Sequence, residues 1–302
     1  MSLTSINRRV LHSVGAVTLA LVVGGLVAGC GSLSNIGSTV NSKQLKRLDQ
    51  VAVASISGPN RLKAPLGQDQ SASGGRVIGS ASEAAEGVKR NRKRAKPDFD
   101  PLMSRSHEYV FGDLQSVLPF GFIDEQKVLG SSAYQNFNAH QMKGPVAAMV
   151  DDPEDVYVSP KSYRPAPPSL LQKKTGKRRE LFDLLPSGTD AVLVVDVSYE
   201  VGKAVAKEAN QVGEGQRRSR LQLKEGDRVD AQVQAKVQTQ VMKPNGTVIM
   251  DVTQKEWSGD RFTFTYGEGW EASQINDLAM KATEKALAST SSYLKKQLSP
   301  SK

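Results

Sequence analysis

The clearest pattern in the chain lies in residues 229–241. Val229, Ala231, Val233, Ala235, Val237, Thr239 and Val241 alternate with Asp230, Gln232, Gln234, Lys236, Gln238 and Gln240. Successive strand side chains point to opposite faces, so this is a half-buried antiparallel strand. Pro244-Asn245-Gly246 then reads as a hairpin turn, in which Asn-Gly supplies the positive φ angles required, and residues 248–252 return. Upstream, Asp190-Ala191-Val192-Leu193-Val194-Val195-Asp196-Val197 is the most apolar strand outside the N-terminus and belongs at the centre of a sheet. Residues 51–56 read as a further buried strand, ended by Gly58-Pro59.

Helical periods flank these strands. Ile275, Leu278, Ala279, Ala282, Ala286, Tyr293 and Leu294 repeat at three and four, so residues 273–298 form an amphipathic helix. Asp100-Pro101 reads as N-cap and first helical residue of another helix, with Leu102, Tyr109, Val110, Leu114 and Val117 on one face and Pro119 as its stop. Residues 120–123 suit a short strand, and Asp124 caps a second helix with Val128, Leu129 and Ala133 as apolar positions. Residues 42–48 and 181–185 suit brief helical turns. The expected fold is α/β (α+β), a mixed sheet with a long C-terminal antiparallel hairpin packed by helices.

Two stretches lack either period. Residues 61–97 are broken by Gly, Ser and Pro and hold too few apolar residues to offset the entropy of ordering, which predicts a disordered insertion. It ends in Lys89, Arg90, Arg92, Lys93, Arg94 and Lys96. A solvated loop is the simpler reading of this run, and anionic lipid headgroups or the carboxylates of peptidoglycan are the partners it would suit. Residues 139–175 carry Pro145, Pro153, Pro160, Pro165, Pro167 and Pro168 and are expected to drape irregularly over a single domain spanning residues 49–298.

The N-terminus changes the picture. Arg8 and Arg9 precede an apolar run over residues 10–26, which closes with Leu26-Val27-Ala28-Gly29-Cys30. A positive n-region, an apolar h-region and a small-residue cleavage site make residues 1–29 a secretory signal peptide. The closing residues resemble the lipobox of bacterial lipoproteins. That resemblance implies a diacylglyceryl group on the Cys30 sulfur, cleavage after Gly29, and acylation of the new amino group with a chain such as palmitate. Two or more acyl chains anchor a protein stably, so residues 30–48 become a lipidated tether. In such lipoproteins an Asp after the cysteine favours the inner membrane. Here Gly31 and Ser32 follow, which points to the outer membrane, facing the periplasm.

Composition narrows the chemistry. The net charge is +9, and removing the signal with Arg8 and Arg9 leaves 302 − 29 = 273 residues at +7. Cys30 is the single cysteine, so neither an intramolecular disulfide nor a thiolate metal site can form. Export separates the protein from nucleic acid. His107-Glu108 begins like a zinc-protease motif, but Phe111 stands where the second histidine belongs. His140 lies in an irregular stretch. Asp151-Asp152-Pro153-Glu154-Asp155 lacks the spacing of a calcium loop and reads as a solvated acidic turn. Trp257, Phe262, Phe264, Tyr266 and Trp270 suit core packing first and a partner or glycan platform second. No nucleophile elbow or phosphate loop occurs. The expectation is a protein that is not an enzyme and uses neither cofactor nor metal.

Three segments carry a resemblance to a known fold: Leu118-Pro119-Phe120-Gly121-Phe122-Ile123-Asp124 within residues 114–129, residues 190–199, and Lys243-Pro244-Asn245-Gly246-Thr247-Val248. Together they are similar to the domain shared by the curli-secretion lipoprotein, the lipoprotein activators of penicillin-binding proteins, and the N-terminal domain of the periplasmic Tol protein. The resemblance implies an accessory or scaffold lipoprotein that binds an envelope protein in cell-wall synthesis, secretion or assembly. The alternative it leaves is a pore-forming secretion subunit like the curli exporter. A pore needs lipid-facing apolar residues along its hairpins, whereas Asp230, Lys236 and four glutamines line one face here.

Overall fold

The computed structural model of the chain describes residues 38–60, 62–63, 96–139, 157–160, 162–173, 175–203, 226, 228–265 and 268–299. Its strands are β1 (Thr39–Val40), β2 (Gln50–Pro59), β3 (Leu62–Lys63), β4 (Gly121–Phe122), β5 (Tyr157–Val158), β6 (Ala191–Lys203), β7 (Arg228–Met242), β8 (Val248–Trp257) and β9 (Phe262–Thr265). They form one sheet in the order β1-β8-β7-β6-β2-β4, with β3 added to β6, β5 to β2 and β9 to β7. β2 runs parallel to β4 and β6, whereas β7 is antiparallel to both of its neighbours, β6 and β8. The sheet is mixed and the fold is α/β, as the sequence patterns require.

The helices are α1 (Ser42–Leu45), α2 (Phe99–Tyr109), α3 (Gln115–Val117), α4 (Glu125–Leu129), α5 (Ser132–Gln135), α6 (Pro168–Lys173), α7 (Thr175–Asp183) and α8 (Ala272–Leu298), with a π-helical turn at Val110–Leu114 between α2 and α3. One face of the sheet is sealed. Val229, Val233, Val237 and Val241 of β7 and Val197 and Val201 of β6 join Ile275, Ala282 and Ala286 of α8 and Leu102 and Leu114 of the α2 segment in one continuous core. Polar side chains stitch the helices to each other and to the sheet. Tyr199 and Thr283 share a hydrogen bond of 2.9 Å, as do Tyr109 and Ser291. Burial pushes both phenols above their ordinary pKa.

A second, smaller core lies on the other face, over the β2–β6 end alone. Ala52, Ala54, Val192, Val194 and Met242 meet Val128 of α4, Tyr134 of α5, Leu171 of α6 and Leu181 of α7. β2 is therefore buried on both sides, which suits its mainly apolar run over residues 51–56. At its end Gly58 passes so close to β6 that a Cβ there would stand 2.0 Å from the Val197 carbonyl oxygen.

Several expectations need correction. The helix expected from Asp100 begins two residues earlier. Asp98 is the N-cap, accepting from the Asp100 N–H at 3.1 Å, and Pro101 sits as the third helical residue, where its missing N–H is still not needed. Ala133 points to water and Tyr134 fills the core in its place, because the helix after Asp124 ends at Leu129 and Ser131 caps a new one. The tether assigned to residues 30–48 is too long. Thr39 and Val40 pair with β8, and Leu45 and Leu48 are core residues. Leu62 and Lys63, placed in the disordered insertion, pair with Tyr199 and Glu200; residues 61 and 64–95 lie outside the described residues. Residues 157–160 and 162–173 do not drape over the surface, since Tyr163, Ala166 and Leu171 are all buried. Lys177, Arg178 and Arg179 lie in α7, with Arg178 buried and donating to the Leu171 carbonyl at 3.3 Å.

Candidate functional site

The second core stops partway along the sheet, and beyond it the same face is polar. Strand alternation decides its content. With Val192 and Val194 in the second core, Asp196, Ser198, Glu200 and Gly202 follow on the same side of β6. Across the ladder these pair with Gln238, Lys236, Gln234 and Gln232 of β7. On β8 the partners are Thr253 for Gln238, Lys255 for Lys236 and Trp257 for Gln234. β7 keeps this alternation along its length, with Gln232, Gln234, Lys236 and Gln238 half-buried between fully buried neighbours. The expected half-buried strand is present, and its polar side is shared with two neighbouring strands.

Three features stand out on this face. Asp196 lies where the second core ends, beside Ser57 of β2. One of its carboxylate oxygens is buried and makes no hydrogen bond among the described residues. Burial pushes its pKa up to about 6, against the pull of Lys236 and Lys63. Next, Gln238 and Gln240 both donate to the Asp251 carboxylate, at 2.9 and 3.0 Å, which spends two of the amides on neighbouring structure. Finally, Trp257 is the one large apolar side chain left exposed among the described residues, at 38 %. Its indole lies on Gly202, where any Cβ would come within 2.3 Å of the ring.

A titratable cluster also appears where the sequence offered only a lone histidine. His107 Nε2 and Glu125 Oε1 are 2.6 Å apart. Tyr163 lies beside them, its phenol raised well above its ordinary pKa by burial and further by the Glu125 carboxylate. α2 supplies the histidine and the first residue of α4 supplies the carboxylate, so the pair fastens two helical segments. Among the described residues no group of three or more His, Cys, Asp or Glu is arranged to hold a metal ion. No helix among them is long and apolar enough to cross a membrane.

The other candidate residues fare differently. Gly29, Cys30, Lys89, Arg90, Arg92, Lys93 and Arg94 lie outside the described residues, as do His140, residues 151–155 and Tyr266. Lys96 is exposed, and its ammonium donates to the Asn60 side chain at 2.9 Å. Of the aromatic cluster, Phe262, Phe264 and Trp270 pack on one another inside the main core, with Phe264 and Trp270 edge to face at 5.0 Å. Trp257 alone is left as a platform. Its separation from the others had a signal in the sequence: it sits on the polar side of the alternating hairpin, two residues beyond Lys255.

No protein-family model matches this chain, and no curated protein matches it either. Among solved structures it is similar to a putative neuraminyllactose-binding hemagglutinin homolog from Helicobacter pylori, at 9 % identity and a TM-score of 0.30, over 84 % of this chain and 86 % of that one.

Proposed function

We propose that this chain is an outer-membrane lipoprotein facing the periplasm, whose α/β domain is a non-enzymatic accessory or scaffold for an envelope protein. The observation that carries the reading is the N-terminal sequence, in which Arg8 and Arg9, an apolar run and Leu26-Val27-Ala28-Gly29-Cys30 stand in lipoprotein order. The domain's construction supports it. Thr39 begins the sheet nine residues after Cys30, so a lipid on Cys30 would hold the β1–β8 edge within about 30 Å of the bilayer. The likeness of residues 114–129, 190–199 and 243–248 to the curli-secretion and penicillin-binding-protein-activator lipoproteins belongs to the same proposal, as does peptidoglycan or anionic lipid as a further contact for the basic run ending at Lys96.

The competing reading, a secretion pore, needs a hairpin with an apolar face turned to lipid. The apolar side of β7 and β8 is instead covered by α8, and the other side carries Gln, Lys and Asp. Replacing Cys30 by Ser tests the anchor. The expected result is an unprocessed or soluble protein, while the natural chain carries acyl groups on Cys30 by mass spectrometry. Membrane-bound mature protein with an unmodified Cys30 would overturn the reading. Crosslinking in intact cells then identifies the envelope partner.

A further inference from the structure

Lys236 and Lys255 are direct cross-strand partners on the polar face of the sheet. Like charges placed opposite each other on a sheet are destabilising, so this pairing calls for a compensating anion. Among the described residues neither lysine makes an ion pair within 4 Å. Asp196 and Glu200 face the same side, diagonal to Lys236, and the pull of Lys236 on the buried Asp196 carboxylate closes no ion pair among the described residues. One position further along β8, on the same side, Trp257 lies on Gly202. The absent Cβ lets the ring rest on backbone and leave its outer surface in water. Gln234 stands directly across from that indole and makes no side-chain hydrogen bond among the described residues.

An exposed indole suits the C–H face of a pyranose, a neighbouring amide offers both donor and acceptor to sugar hydroxyls, and two ammonium groups suit a carboxylate. We propose that Trp257, Gln234, Lys236 and Lys255 form a binding subsite for an acidic saccharide, and that its ligand is the muropeptide unit of peptidoglycan, with the sugar on Trp257 and a stem carboxylate between the lysines. The choice of glycan rests on the periplasmic reading above; the geometry of the subsite does not.

The purified full chain in detergent, titrated with a disaccharide-tetrapeptide muropeptide, tests this. The chain has two tryptophans, and Trp270 is buried at 4 %, so a saturable change in tryptophan emission reports on Trp257. Calorimetry supplies a second readout that survives Trp257→Ala. Binding is expected to vanish in Trp257→Ala and to weaken about tenfold or more in Lys236→Gln/Lys255→Gln, the size of a lost charge-assisted contact. The melting temperature of the lysine variant should not fall. Chitotriose, a neutral sugar, should bind about tenfold more weakly than the muropeptide. Absence of binding, equal affinity for chitotriose, or equal affinity for the stem peptide without sugar would each overturn the proposal. Muropeptide binding unchanged in the lysine variant would do the same. A chain that proves unacylated at Cys30 but binds muropeptide through these residues would overturn only the anchoring.

Discussion

The two faces of the sheet share the same strands and differ in how far each is covered. On the α8 side the cover is one helix of 27 residues, about 40 Å long, joined by the α2 segment and lying over strands of similar span. On the other side the cover is four helices of four to nine residues, which close over β2 and the start of β6 and stop there. The first face is mainly apolar where it meets the helix, and its polar exceptions are buried, as Thr239 and Gln254 are, or bonded to the helix, as Glu256 is by Ser289. The second changes from Val192 and Val194 to Asp196, Ser198 and Glu200 within one strand, at the place where its cover ends. A strand thus records its cover residue by residue, and the polar tail of β6 marks where the domain stops packing against itself.

The sharpest way to break the contrast is to put one charge on each face. Val233 is fully buried on the sealed side, at 0 % exposure. Val233→Asp would bury a carboxylate without a partner, and a loss of more than about 4 kcal/mol is expected, enough to unfold a typical domain. Circular dichroism and a melting curve check this; a folded variant with a normal melting temperature would mean that α8 does not seal that face.

Asp196 is the boundary itself, and there the effect should be smaller and opposite in sign. The folded protein raises this carboxyl from 3.8 to about 6, because burial disfavours the charged form. The folded state therefore holds the proton more tightly than the unfolded chain. Stability contributed by the neutral form is complete below pH 3.8, is lost as pH rises toward 6, and stays lost above it. The difference amounts to on the order of 2–3 kcal/mol. Asp196→Asn should thus stabilise the domain by up to about 2 kcal/mol at pH 8 and by little at pH 4. Denaturant titrations at the two pH values measure it, and a destabilised variant at pH 8 would show that the charge of Asp196 is satisfied.

These residues also show what could be read in advance. β7 and α8 were legible because each repeats its period for many residues, and the centre of the sheet because Asp190 to Val197 is too apolar for any other place. An acid inside that strand was visible, but its environment was not, since Ser57 and Gln238 reach it from strands distant in sequence. The second core was largely illegible. Its pieces, such as Ala166 and Leu171, sit in short segments rich in proline, where neither period completes two turns. Thr283, Thr290 and Ser291 were missed on α8 because they look polar, yet the two threonine hydroxyls bond the carbonyls four residues back and Ser291 bonds Tyr109.

Within the second core one hydroxyl holds two segments, which gives a change of intermediate size. The buried Tyr134 donates to the Ala54 carbonyl at 2.8 Å and accepts from the Arg164 N–H at 3.1 Å. Tyr134→Phe keeps the ring and leaves that N–H without its acceptor, for a loss of about 1–2 kcal/mol. The midpoint of a denaturant curve resolves a shift of that size. No shift would mean that water takes over both bonds and that the segment at residues 162–167 is held by packing alone.

The smallest effect is expected on the open face, and it carries the most information about function. Gln234 is half-buried between its neighbours, with its side chain on the water side and no hydrogen bond that its loss would orphan. Gln234→Cys should therefore change stability by less than about 0.5 kcal/mol, as surface substitutions do. With Cys30 acylated, the new thiol is the only free one in the chain. Its reaction in cells separates the two readings of the hairpin. A scaffold presents residue 234 to the periplasm, so a water-soluble maleimide should label it readily, and labelling should fall when muropeptide or a captured partner covers Trp257. A pore of this hairpin would place either this face or the α8-covered face against lipid. Protection of residue 234 from the soluble reagent, with labelling only by one dissolved in the bilayer, would place the open face against lipid and reverse the assignment, whereas lipid on the opposite face would require α8 to leave the sheet, a rearrangement that Val233→Asp would then no longer penalise.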